Sequence, residues 1–194
     1  MPEAHVEAPT SGSILLAGVL LKMGTYGFFR FMVQLAPAAC VYFSPLIFVF
    51  CIVAILYSSF STIRQIDLKK IIAYASIGHM NFVILGLFTF NVQGLAGSVF
   101  LMLSHGIVSS ALFACIGSLY DRYRTRIIYY YKGLVQYMPI FSLFFFFFTL
   151  GNVSFPGTSS FVGELLILVG LLENNFISTF LAAVGIILGL IYSF

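Results

Sequence analysis

Apolar runs recur from one end of this sequence to the other, and several approach the roughly 20 residues that a helix needs to cross a bilayer core of about 30 Å. This recurrence excludes most folds. Of the 194 residues 61% are hydrophobic and only 8% are charged, more apolar surface than a water-soluble domain of this length could hide. A transmembrane β-barrel needs short strands of alternating polarity, whereas Leu143 to Phe148 is apolar at every position. The chain is therefore read as all-α, a polytopic transmembrane helix bundle of about six spans, one of them broken.

Local signals divide the bundle. A polar entry segment, 1–11, leads into a first span over 12–34, with Thr10, Ser11 and Ser13 as cap candidates after Pro9 and a closing loop at Pro37. Spans follow at 45–62, 71–90 and 95–119, the last two separated by the polar turn Asn91-Val92-Gln93. The fifth, 139–172, carries Gly151, Asn152, Pro156 and Gly157 partway along, which should interrupt the helical ladder near mid-membrane. The sixth covers 176–194.

The basic residues test this layout, because Lys and Arg collect on the side from which a membrane protein is inserted. Arg64, Lys69 and Lys70 lie between the second and third spans, and Arg122, Arg124, Arg126 and Lys132 between the fourth and fifth. The connections near Pro37, Asn91 and Glu173 carry none. Both basic loops, and the N-terminus with them, are thus assigned to the cytoplasmic or matrix side.

Once the loop charges are set aside, Lys22, His79, His105 and Glu164 stand out as ionisable residues inside the spans. Lys22 is about 15 Å into its helix at 1.5 Å per residue, near the middle of the membrane. His105 shares that depth, and Glu164 follows the helix break. A charge held there costs roughly 2.5 to 3.5 kcal/mol, so each side chain should face protein or water rather than lipid. Groups of this kind in one layer suit a proton relay. Each also has a structural alternative. Lys22 can snorkel, either histidine can be a plain interhelical hydrogen-bond partner, and Glu164 can satisfy amides freed by the break.

Little else suggests chemistry. Cys40, Cys51 and Cys115 are scattered through apolar stretches and read as packing residues. Glu3, His5 and Glu7 alternate as metal ligands sometimes do, but a short terminal segment reads better as a solvated or helix-entry element. Arg64, Asp67, Lys69 and Lys70 form a charged loop explained as a topology anchor with a local ion pair. Tyr129, Tyr130 and Tyr131 read as an interfacial aromatic belt. No phosphate loop, dinucleotide fingerprint or metal-ligand cluster is present, so no cofactor and no metal is expected in this chain, and no nucleic acid.

Longer motifs carry a resemblance. Pro2-Glu3-Ala4-His5-Val6-Glu7-Ala8-Pro9 is followed by Leu20-Leu21-Lys22-Met23-Gly24-Thr25-Tyr26-Gly27, then by Asp67 to Met80, Leu103-Ser104-His105-Gly106, Phe155-Pro156-Gly157-Thr158 and Phe161-Val162-Gly163-Glu164. In this order, over nearly the whole chain, they resemble NADH dehydrogenase subunit 4, the antiporter-like membrane subunit family of respiratory complex I. The resemblance implies that Lys22, His79, His105 and Glu164 belong to the family's central polar axis. It also implies a second inverted five-helix repeat plus one preceding helix, in the mitochondrial inner membrane, with a bacterial plasma membrane as the alternative. NAD, FMN, iron–sulfur clusters and ubiquinone would sit in other subunits. Partners would be other membrane-arm subunits and lipid, cardiolipin at the basic loops among it.

Family members have about fourteen helices, and this chain lacks counterparts of the first-repeat glutamate and lysine and of the final helix. The expectation is a split subunit whose N-terminal half is a separate polypeptide. Three functions follow: part of a complex I proton-pumping subunit, a subunit of a cation/proton antiporter, or a scaffold for the membrane arm.

Overall fold

The computed structural model describes residues 2–193 and is helical almost throughout. A short α1, Pro2–Glu7, precedes the long α2, Thr10–Leu35. Then come α3, Pro37–Ile63, α4, Leu68–Leu87, and α5, Val92–Tyr123. Two shorter helices, α6, Pro139–Asn152, and α7, Ser159–Asn174, form one interrupted crossing, and α8 is Phe176–Ser193. Five of these (α2, α3, α4, α5 and α8) are long and apolar enough to cross a membrane. The protein is a membrane protein with an all-α, transmembrane bundle fold. Met1 and Phe194, the ends of the entry segment and of the last expected span, lie outside the described residues.

Several boundaries differ from those read in the sequence, for one reason: apolar content marks what lipid covers, not where hydrogen bonding stops. The second helix starts at Pro37 rather than Pro45. Pro37 opens it at a position where a missing N–H costs nothing. Pro45 sits inside it, and the Val41 carbonyl that Pro45 cannot serve accepts a bond from the Ser44 hydroxyl at 2.9 Å. The third helix begins at Leu68, not Ile71, and takes in Lys69 and Lys70. The fourth runs from Val92 to Tyr123, well past 95–119, until Arg124 turns into the left-handed region at φ 55°.

The entry segment is a helix that is solvated on one face only. His5 and Val6 are buried, and the His5 ring stacks on Phe113 of α5 at 5.2 Å between centroids. Helical spacing places Glu3 and Glu7 outward, opposite His5, so the three do not converge as metal ligands. Pro9 rather than a serine or threonine occupies the cap of α2, with no side-chain cap bond. Ser13 instead donates to the His5 carbonyl at 2.8 Å, tying the two helices together.

The loops sort into two faces, as the charge count required. The two basic loops are hydrogen-bonded to each other, Leu68 N to Arg126 O at 3.0 Å and Ile128 N to Ile66 O at 3.2 Å. The N-terminal segment joins them, because Arg126 donates to the Val6 carbonyl at 3.0 Å. On the opposite face Asn174 donates to Thr89 O at 2.8 Å and Asn91 to Glu173 at 2.7 Å. Between these faces the apolar core is divided. One cluster, with Phe82, Leu85, Leu101, Ile167 and Leu171, lies toward the Asn91 face. A smaller one, with Ala17, Ile72, Ala73, Leu112 and Phe113, lies toward the basic face. On α4 and α5 the polar layer falls between them.

Candidate functional site

Each polar side chain of that layer arrives on a different helix. Lys22 is carried by α2, whose ladder is widened by π-helical turns at Leu16–Leu20 and Phe28–Met32, a feature frequent at functional sites. Gly18 and Gly106 allow α2 and α5 to close on each other. A Cβ on Gly106 would lie 3.3 Å from the Gly18 carbonyl and 3.5 Å from Cε of Lys22. The Lys22 ammonium therefore reaches across to Nδ1 of His105 at 2.9 Å, while donating to the carbonyl of Ala17.

His105 is 3% exposed, and its ring lies 5.2 Å from that of His79 on α4, tilted by 44°. His79 Nδ1 in turn meets Glu164 Oε1 at 3.0 Å. Glu164, 4% exposed, belongs to the second turn of α7, just beyond the break. There Ser154 takes a left-handed φ of 58°, Pro156 has no amide to offer, and Ser160 donates back across the gap to Gly151 O. Close approach fixes this end as well. A Cβ on Gly97 of α5 would stand 2.9 Å from the carbonyl of Gly163, the residue preceding Glu164.

The four residues singled out in the sequence thus form one line, Lys22, His105, His79, Glu164, across four helices. Among the described residues, Nε2 of His79 and of His105 is buried without a partner, and such an atom is costly unless hydrated or used. Hydrogen bonds join Lys22 to His105 and His79 to Glu164, and the two imidazole rings face each other between these pairs, so proton-exchanging groups follow one another along the line, each able to take a proton as it releases another. Outside the spans, burial and then the positive charge of Lys69 lower the pKa of His5 below its ordinary value, so it is held neutral.

Four residues escaped the sequence reading. Lys69 is no loop anchor: it is 5% exposed, with its ammonium on Ala8 O at 2.6 Å. Its spacing with the buried Ile72, Ala73 and Ser76 would have revealed it had the helix been started at Leu68. The expected local ion pair is made by Lys70 and Asp67, 3.7 Å apart. Arg30 also falls inside the first span, yet it is exposed. Ser59 and Tyr192 line a cavity beside His79 and Glu164, and nothing in their spacing marks them.

A family model described as NADH:quinone oxidoreductase/Mrp antiporter, transmembrane, matches residues 1–190. The chain belongs to this family. NADH-ubiquinone oxidoreductase chain 4 of Marchantia polymorpha is 63% identical over 193 residues, all of this chain and 39% of the relative. The protein of that name from Arabidopsis thaliana is 61% identical, with the same coverage. The chain thus spans about two fifths of the length of these relatives. Among solved structures, a chain of respiratory complex I from Thermus thermophilus with bound NADH matches 99% of it, with a TM-score of 0.93 and 32% identity, over 41% of that chain. A chain of the Mrp complex from Dietzia sp. DQ12-45-1b matches 99% with a TM-score of 0.93 at 22% identity, over 36% of its own length, a likeness of fold. The antiporter-like fold expected from the motifs is the fold of the chain.

Proposed function

We propose that this chain forms the second half of an antiporter-like, proton-translocating unit in the membrane arm of NADH:ubiquinone oxidoreductase. Lys22, His105, His79 and Glu164 act as its relay. The observation that carries this reading is the line itself: a half-buried lysine, two histidines and a buried glutamate on four separate helices, in contact or ring to ring at 5.2 Å or less. A scaffold would gain nothing from four ionisable groups at mid-membrane, each costing roughly 2.5 to 3.5 kcal/mol when charged.

Redox chemistry belongs to other subunits, which would hold NAD, FMN, iron–sulfur clusters and ubiquinone; this chain supplies the membrane passage. The relatives' further three fifths would complete the unit, whether joined to this chain or carried on another polypeptide. Sequence relatives from plant and protist mitochondria favour the mitochondrial inner membrane. The exposed basic face suits anionic lipid such as cardiolipin.

The test is to replace Lys22 by Met and measure NADH-driven proton pumping in native membranes, with assembly followed on a native gel stained for NADH oxidation. Lost pumping in an assembled, NADH-oxidising complex supports the relay. Normal pumping by an assembled complex would point to a scaffold, and lost salt tolerance with normal NADH-linked pumping to an antiporter.

A further inference from the structure

The His79–Glu164 end of the relay is covered but not fully packed. A cavity of about 30 Å³ adjoins it, room for a single water. Its wall includes Ser59 from α3, His79, Glu164 and Tyr192 from α8, with Gly78 and Gly185 keeping α4 and α8 thin at that level. Tyr192 stands near the end of α8, and its hydroxyl lies back over the preceding turn, 3.7 Å from where a side chain on Gly189 would begin. Ser59 donates to Ile55 O at 2.8 Å, leaving its oxygen lone pairs available. Thr62, one turn nearer the basic loop, is buried and donates to Ser59 O at 2.6 Å. Polar groups therefore run from the relay toward the basic face, not toward the Asn91 face.

We propose that this cavity is a water site joining the His79–Glu164 pair to the basic face of the bundle, with the Tyr192 and Ser59 hydroxyls as its proton-passing partners. A water needs two to four polar partners to be retained in a buried site, and this wall offers four. The step is a plain proton shift. A proton arriving from the basic face binds one hydroxyl oxygen, that hydroxyl gives its own proton to the water, and the water gives one to Glu164. Each oxygen forms one O–H bond as it loses another, so nothing is oxidised or reduced. The inference rests on the relay reading and adds to it a direction of supply.

The experiment uses membrane vesicles carrying the assembled complex, with Ser59→Ala, Ser59→Thr, Tyr192→Phe and Glu164→Gln compared for NADH-driven pumping and for the ratio of its rates in H₂O and D₂O. The expected result is that S59A and Y192F assemble normally, pump about tenfold more slowly and show a larger isotope ratio, while S59T, which keeps the hydroxyl, pumps as the parent does. Parent-like pumping and isotope ratio in both S59A and Y192F, with E164Q inactive, would overturn the water site and leave the relay standing. Unimpaired pumping by E164Q would instead overturn the relay itself. Equal slowing by S59A and S59T would mark a packing effect and also overturn the proposal.

Discussion

The two ends of the polar line are built differently. Glu164 is enclosed, 4% exposed, and held by α7 lying close against α5. Lys22 is only half-buried, on a helix that the rest of the bundle leaves mostly uncovered, and beside it α2 and α5 leave an open, mostly apolar groove that includes Gly18, Met23 and Gly106. Glu164 is covered by this chain's own helices apart from a small polar cavity toward Ser59 and Tyr192 and an apolar pocket toward Phe155 and Leu168, whereas Lys22 borders the open groove directly. A titratable group is shielded from lipid only where protein or water faces it, so the chain determines more of the environment of Glu164 than of Lys22.

The strongest way to break this comparison is to remove the proton from each end. Glu164→Gln keeps a partner for His79 but cannot exchange a proton, and pumping should fall on the order of 100-fold. Lys22→Arg keeps the charge and a donor for His105, and should retain part of the rate. Proton flux in vesicles checks both, and an E164Q protein that pumps normally would remove the basis for ranking the ends.

A steric pair comes next. Gly97→Val drives a side chain into the Gly163 carbonyl and Leu166, so the fold should lose about 1–3 kcal/mol or more, as overpacked cores do. Gly106→Val pushes against Gly18 and Lys22, where α2 can give way, and should cost less than Gly97→Val while separating Lys22 from His105. Thermal melting of the purified complex ranks the two, and equal losses would show that the Lys22 end is as confined as the other.

Smaller effects refine the picture. Ser160→Ala removes the bond across the helix break and should cost about 1 kcal/mol, read as a lower denaturation midpoint. Thr25→Val removes a hydroxyl shared between the Lys22 carbonyl at 3.1 Å and Met102 Sδ at 2.9 Å, and should cost no more than Ser160→Ala.

The smallest effect concerns His5, whose lowered pKa reports a neutral ring between Phe113 and Lys69. As pH falls through about 6.5 the unfolded segment takes up a proton that the docked one refuses. Docking of α1 should weaken over that window, down to the lowered pKa, and be unaffected above it. Hydrogen exchange of residues 2–8 between pH 5 and 8 should show faster opening at the acid end, and His5→Phe, which keeps the stacking, should abolish the dependence.

Much of this architecture was legible in advance. Apolar runs longer than a bilayer is thick leave helices as the one fold that satisfies every backbone group, and the spacing of Lys and Arg sorted the loops into two faces. Burial of a charge in lipid is so costly that Lys22, His79, His105 and Glu164 identified themselves. Their order in space did not. Nothing in a linear sequence states that His105 lies between Lys22 and His79, because that depends on which helices glycines allow to approach.

The buried state of Lys69 and His5 was hidden for a related reason. A charged or polar residue near a helix end looks solvated until another segment, here α1, closes over it. What the sequence determined by itself was therefore the solvent, the helical bundle and the four in-span groups that the structure brings into one line. Only the tertiary structure decided which of them touch and which end is closed, since hydrogen bonds over 3 Å follow from helix packing that residue periodicity constrains but does not fix.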